Sequence, residues 1–143
     1  MRKIFYLIWV AIILGGCALN TRPSWIITGE RNLEGFKKSF FTYGPGEISD
    51  NYFKRTLEEF KKSGDLDLME KAWLTRMALQ VAVLEEMEER NYLEIAAVRQ
   101  VPENENFFKF LRCEISEVEI GVLPEQYRSF GRALLTGDVL KTG

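Results

Sequence analysis

The 143 residues contain no histidine, which excludes Ser-His-Asp triads, Cys-His dyads and metal sites built on imidazole. Acid-base chemistry would then fall to carboxylates, tyrosines or lysines. A catalytic acid wants an apolar setting that raises its pKa, and only Glu94, Glu114 and Glu119 have apolar flanks. The other glutamates lie beside charges on amphipathic patterns, where an ionised, solvated carboxylate is the ordinary state. Ser129, in Tyr-Arg-Ser-Phe-Gly, lacks the first glycine of a nucleophile elbow. With no Gly-rich phosphate loop and no metal-ligand spacing, the catalytic and metal sets are read as empty and no dissociable cofactor is expected. Cys113 follows Phe107-Phe108-Lys109-Phe110-Leu111 and reads as a small buried hydrophobe. For recognition, Arg76, Arg128 and Arg132 are candidate contacts to a partner protein, the last two one turn apart on a shared helix face.

The other cysteine, Cys17, ends the first segment. Met1-Arg2-Lys3 is followed by eleven uncharged residues, Ile4 to Leu14, and then by Gly15-Gly16-Cys17. A basic start, an apolar run and small residues at its end have the three-part form of a secretory signal peptide. As a helix the apolar run rises about 16 Å at roughly 1.5 Å per residue, about half of a hydrocarbon core of ~30 Å. Leu14-Gly15-Gly16-Cys17 resembles the lipobox of bacterial lipoproteins. The resemblance implies cleavage between Gly16 and Cys17, a diacylglyceryl thioether on the Cys17 sulfur and an acylated amino terminus, with fatty chains such as palmitate as the only bound group. Two or three such chains, at about 0.8 kcal/mol per buried methylene, hold a protein stably on a membrane. Ala18 stands where an Asp would resemble an inner-membrane retention signal, so the resemblance points to the outer membrane and the periplasm. The uncharged stretch continues through Thr21, which leaves an uncleaved helical anchor as one alternative and a plainly secreted protein as another.

Removal of residues 1–16 leaves 127, the length of one domain. Arg2 and Lys3 leave with them, so the 19 basic and 21 acidic residues become 17 and 21. A mildly acidic domain without a basic footprint excludes nucleic acid as a partner and offers no polybasic patch to anionic lipid. With Cys17 lipidated, Cys113 is the only thiol left and no internal disulfide can form.

The elements that must carry the candidate residues read as helices. Residues 18 to about 27 contain Pro23 and Trp25 without a helical period and read as a tether or a lead-in docking on the core. From Thr28, Leu33, Phe36, Phe40 and Phe41 share one face of a helix that Tyr43-Gly44-Pro45-Gly46 ends. Ser49 or Asp50 caps a second helix with Phe53, Leu57 and Phe60 inward, Glu58 and Lys62 paired outward, and Gly64 as its stop. The strongest pattern runs from about Asp67 to Arg90, carrying Trp73, Met77, Val81, Leu84 and Met87 on its apolar stripe. Glu85, Glu86, Glu88 and Glu89 crowd its last turns against the macrodipole. A solvated face is the ordinary reading of that cluster, a site for a cation or a basic partner the sharper one. Tyr92 to Arg99 or Gln100 is a shorter helix ended by Val101-Pro102, and Asn106 to Arg112 another. Residues 117–122 alternate but lack a partner strand and read as an extended loop. Pro124 opens a last helix with Tyr127, Phe130, Ala133 and Leu134 inward, closed by Gly137.

Ser63-Gly64-Asp65-Leu66 and Thr136-Gly137-Asp138-Val139 share one punctuation, similar to the tight joints of helical-hairpin repeat proteins such as tetratricopeptide arrays. The joint at Asn91 is out of step and the Trp, Gly and Tyr signature positions are missing, so the likeness supports antiparallel helix pairs more than a true repeat. The expectation is an all-α protein, a small antiparallel bundle or short helical-hairpin array. It divides into signal peptide 1–16, lipidated tether 17–27, helical domain 28–137 and a frayed end 138–143. Its expected work is protein-protein contact in the bacterial envelope, anchored in membrane lipid. The alternatives are a carboxylate-based, glycosidase-like hydrolase of envelope polymers and a carrier of a small lipid or ligand.

Overall fold

A computed structural model describes residues 22–137 of the protein. The fold is all-α. Helix α1 spans Ser24–Tyr43, α2 Glu47–Lys61, α3 Leu66–Ala82, α4 Arg90–Ala96, α5 Pro102–Leu111 and α6 Glu125–Thr136, with a short 3-10 turn at Ile115–Glu117. The lipobox, Cys17 and the last six residues lie outside the described range.

Punctuation by glycine and aspartate acts where the sequence places it. Gly44, Gly64 and Gly137 each have a positive φ, of 80°, 68° and 70°, at the ends of α1, α2 and α6, Gly44 with an extended ψ and Gly137 in the left-handed helical conformation. The Asp65 carboxylate caps α3 by accepting from the Asp67 N–H at 3.0 Å. At the start of α2 the cap differs. The helix begins at Glu47, and buried Ser49, two residues inside it, accepts from the Gly46 N–H at 3.1 Å.

Several further boundaries depart from expectation, among them both ends of α4, which runs Arg90–Ala96 and not Tyr92 to Arg99 or Gln100. Helix α1 begins at Ser24, so residues 24–27 belong to the helix and not to a tether; Pro23 precedes it, its fixed φ suited to a helix start, and Trp25 packs on the core. Pro102 stands at the first position of α5, opening that helix four residues before Asn106. The largest departure is α3, which stops at Ala82 instead of running to Arg90. Its end is a Schellman motif: the Glu85 N–H donates to the Gln80 carbonyl at 2.8 Å and the Leu84 N–H to the Val81 carbonyl at 3.1 Å. The left-handed position that glycine usually takes is held by Leu84, at φ 59°. Residues 85–89 then double back along α3, and the Glu88 N–H donates to Gln80 Oε1 at 3.1 Å. The four glutamates are therefore in the connection that leads into α4, with Glu89 at its N-cap position and none on a helix C-terminus, so the expected conflict with the macrodipole does not arise. The end of α5 repeats the device with Cys113, also at φ 59°. There the Glu114 N–H donates to the Lys109 carbonyl at 3.0 Å. Cys113 is exposed, not the buried hydrophobe its neighbours suggest, because the residue that reverses the chain after a helix points off the bundle.

A bulky residue in the left-handed region costs about 1–2 kcal/mol relative to its preferred conformation. Leu84→Gly is expected to raise stability by about 0.5–1 kcal/mol, the strain relieved being partly offset by the entropy of glycine in the unfolded chain. A urea midpoint that stays put or falls would show that Leu84 has packing the structure does not give it.

Phe36, Phe53 and Trp73 form a continuous aromatic column through α1, α2 and α3, with ring centroids 4.9 and 4.8 Å apart. A second cluster joins Tyr92 to Phe108 at 4.6 Å and Phe107 to Tyr127 at 5.1 Å, binding α4, α5 and α6. Phe41, expected on the inward face with Phe40, is 66% exposed. Glu58 does not pair with Lys62, which reaches Glu59 at 2.7 Å instead. Residues 118–122 form no strand; Asn106 holds them, accepting from the Glu119 N–H at 2.7 Å and donating to its carbonyl at 3.0 Å.

Candidate functional site

Of the three arginines expected to contact a partner, Arg76 turns inward. It lies over the Phe53 ring at 5.0 Å and the Phe36 ring at 5.9 Å, and bonds Asp50 at 2.8 Å and Glu88 at 3.1 Å. One guanidinium thus ties α2, α3 and the 85–89 connection across the top of the aromatic column. Within the domain Arg76 acts as a structural clamp. Arg76→Ala is expected to cost about 2 kcal/mol, from lost charge-assisted bonds and the lost cation-aromatic contact; a thermal midpoint within a degree of the parent would exclude the clamp. The Arg128 Nε donates to the Leu123 carbonyl at 2.7 Å, fastening the start of α6. Arg132 is exposed, one turn further on.

The three carboxylates singled out by apolar flanks do not converge. Glu94 is exposed and accepts from Arg90 at 3.0 Å. Glu114 faces Arg112 at 3.1 Å and borders a cleft of about 390 Å3 between α4 and α5, which neither Glu94 nor Glu119 lines. Glu119 is exposed and held by its backbone. Ser129 is exposed on α6, and no cluster of metal-ligating side chains occurs among the described residues.

The unusual carboxylate is Glu70, which stands at 0% exposure in the interior. Its Oε2 accepts from Asn104 Nδ2 at 2.7 Å, and the same amide donates to Asp67 Oδ1 at 2.9 Å. The Glu70 Oε1 is buried without a partner. Burial pushes the Glu70 carboxyl above its ordinary range, the Asn104 hydrogen bond opposing and the Asp67 charge adding to the rise. Burial also works to raise Asp67, but hydrogen bonds from Lys71 and Asn104 outweigh it and hold that carboxyl low. The Tyr92 hydroxyl is pushed up to about 12 by burial and by the Glu70 and Glu105 charges. This network joins the start of α3 to the start of α5. Glu70 is closed to solvent, whereas Asp67 is partly exposed and Asn104 borders an open cleft, and the network holds the two helices in register. The signal was present in the sequence: Glu70, Trp73, Leu74 and Met77 fall at offsets 0, 3, 4 and 7, which puts an acid on a core-facing stripe.

Two surface features remain. An open cleft of about 560 Å3 lies between α1, α3, α5 and α6, with apolar walls including Phe41, Leu74, Phe107 and Tyr127 and with Lys37 and Lys71 along it. Both lysines already have partners, Glu34 and Asp67. The other feature is the end of the bundle where α1 finishes, α2 starts and α3 finishes; the Asp50-Arg76 pair fixes α2 and α3 at this level. There Tyr43 is 72% exposed, Ile48 54% and Leu84 95%, with Val81 and Val83 beside Leu84 in sequence and also exposed. Comparison of the chain with protein-family models, with curated proteins and with solved structures finds no match.

Proposed function

We propose that the protein is a bacterial lipoprotein, attached to membrane through acyl chains on Cys17, that works by protein-protein contact in the cell envelope, facing the periplasm from the outer membrane. The observation that carries the contact role is the unpartnered apolar end of the helical bundle. Large apolar side chains gathered on one face of a charged domain mark an interaction surface more often than a random scatter does. The anchor rests on Leu14-Gly15-Gly16-Cys17 at the end of an apolar leader. No helix among the described residues is long and apolar enough to cross a membrane, so attachment by those residues alone would be peripheral.

Cys17→Ser removes the acyl acceptor and is expected to leave a chain that keeps residues 1–16 and carries no fatty acid, against a parent that begins at an acylated Cys17, both read by intact mass. A parent mass without added fatty acid, or a variant cleaved after Gly16 like the parent, would overturn the anchor. The contact role is tested separately, by crosslinking in native membranes followed by reciprocal capture; no reproducible crosslinked partner would overturn it.

The cleft between α1, α3, α5 and α6 supports a second reading, carriage of a small amphiphile. Its volume falls in the ~300–1,000 Å3 range of ligand pockets. Native mass spectrometry that finds no co-purifying mass would end that reading.

A further inference from the structure

The apolar end of the bundle also carries information about what covers it. Two segments build this end, the α1-α2 turn with the start of α2, and the end of α3 with its reversing connection. Between Phe40 and Lys54, and between Met77 and Arg90, there is no lysine or arginine. The same segments hold Glu47, Asp50, Glu85, Glu86, Glu88 and Glu89. Asp50 and Glu88 share the Arg76 guanidinium, and Glu89 reaches Arg112 at 3.9 Å. Glu47, Glu85 and Glu86 are exposed and have no ion-pair partner among the described residues. The result is a set of exposed apolar side chains, Tyr43, Ile48, Val83 and Leu84, on two segments that carry acidic and no basic residues; among the described residues the nearest free cation to Glu47 is Lys54, which lines a groove with it one to two turns further along α2.

Leu84 sharpens the point. It is nearly fully exposed and sits in a backbone conformation that favours glycine. A glycine there would end the helix with less strain, so within this chain alone the leucine gains neither conformation nor burial.

Resting on the reading of the protein as an anchored contact module, we propose that this end docks a cationic amphipathic segment of a partner protein, its apolar side chains on Tyr43, Ile48 and Leu84 and its lysines or arginines against Glu47, Glu85 and Glu86. The negative rim disfavours an anionic lipid surface, and it disfavours a second copy of the same face for the same reason.

The test uses the full acylated chain in detergent micelles and two labelled 18-residue amphipathic peptides, one of leucine and lysine, the other of leucine and glutamate, read by fluorescence anisotropy against protein-free micelles. The lysine peptide is expected to bind, and to lose affinity at least tenfold on Leu84→Gly and again on the pair Glu85→Lys and Glu86→Lys. The glutamate peptide is expected not to bind. Glu94→Lys and Glu117→Lys, away from this end, are expected to leave the affinity of the lysine peptide within twofold. Leu84→Gly is the informative variant, because it should stabilise the fold while weakening binding, so loss of affinity cannot be ascribed to unfolding. Binding unchanged by Leu84→Gly, equal binding of both peptides, an equal effect of the remote charge changes, or self-association of the chain abolished by Leu84→Gly would each overturn the proposal. If crosslinked partners in native membranes survive Leu84→Gly, the contact role stands and this docking site does not; if the parent has none, the contact role itself fails.

Discussion

Truncation of Phe53 to alanine is expected to lower stability by about 3–5 kcal/mol, a large share of the ~5–15 kcal/mol by which a domain of this kind stands above its unfolded state. Phe53 is the middle ring of the column, 4.9 Å from Phe36 and 4.8 Å from Trp73, and its face carries Arg76 at 5.0 Å. Three helices meet at this one side chain. Alanine there removes the transfer free energy of a buried phenyl group and leaves a cavity that helices tied by Arg76 cannot close. It also takes away half of the aromatic surface under the guanidinium, so the Arg76 clamp weakens with it. Phe53→Leu keeps part of the volume and should lose markedly less. Urea unfolding reads both variants. A loss below about 1 kcal/mol for Phe53→Ala at unchanged m-value would mean that α1, α2 and α3 do not share this core.

Asn104→Asp is expected to cost about 3–5 kcal/mol at neutral pH, the magnitude for a buried charge stripped of compensation. The parent amide donates to Glu70 at 2.7 Å and to Asp67 at 2.9 Å. A carboxylate in its place removes both donated bonds and sets a third acid among two. Like charges and burial raise the folded-state pKa of such a group above its unfolded value. Its favourable contribution is then complete below the unfolded value and is lost as pH rises through the folded one, so the variant should recover stability on acidification. In the parent, Glu70 behaves in that same sense. Raised by burial above its ordinary 4.5, it favours the fold most below that pH and progressively less as pH climbs through its raised folded value. Asp67, held below its ordinary 3.8, works oppositely: its contribution is present above that value and lost as pH falls through the lowered one. Glu70→Gln removes only the first limb, so stability should stop declining on the alkaline side of pH 4.5 while the acid-side loss persists. Thermal midpoints collected from pH 3 to 8 for the parent and both variants check this; parallel curves would refute the buried acid network.

Helix existence was legible along nearly the whole chain, and helix ends were legible wherever a residue with a local conformational preference marked them. Gly44, Gly64, Asp65 and Gly137 act as read because a left-handed φ or a capping carboxylate is decided within a few residues of chain. The end of α3 was not legible. Leucine is a good helix former, so nothing local announces that Leu84 reverses the chain; the side chain of Gln80 and the ion pair between Arg76 and Glu88 draw residues 85–89 back along α3. Glu70 was half legible. Its place on an apolar stripe shows in the spacing, but its partner Asn104 is 34 residues away and on another helix.

By itself the sequence determined the all-α class, the helix borders marked by a stop glycine or capping aspartate, and the lipobox-like junction at Cys17, on which the reading of an anchored protein depends. These are properties of short stretches, where backbone preference, helical period and motif spacing act between neighbours. Only the tertiary structure decided that Arg76 closes the aromatic column, that Phe41 and Leu84 face outward, and that Glu94, Glu114 and Glu119 do not converge. Each of those outcomes depends on which helices lie side by side and at what level. Such placement is governed by close packing between residues remote in sequence, and a one-dimensional pattern does not contain it.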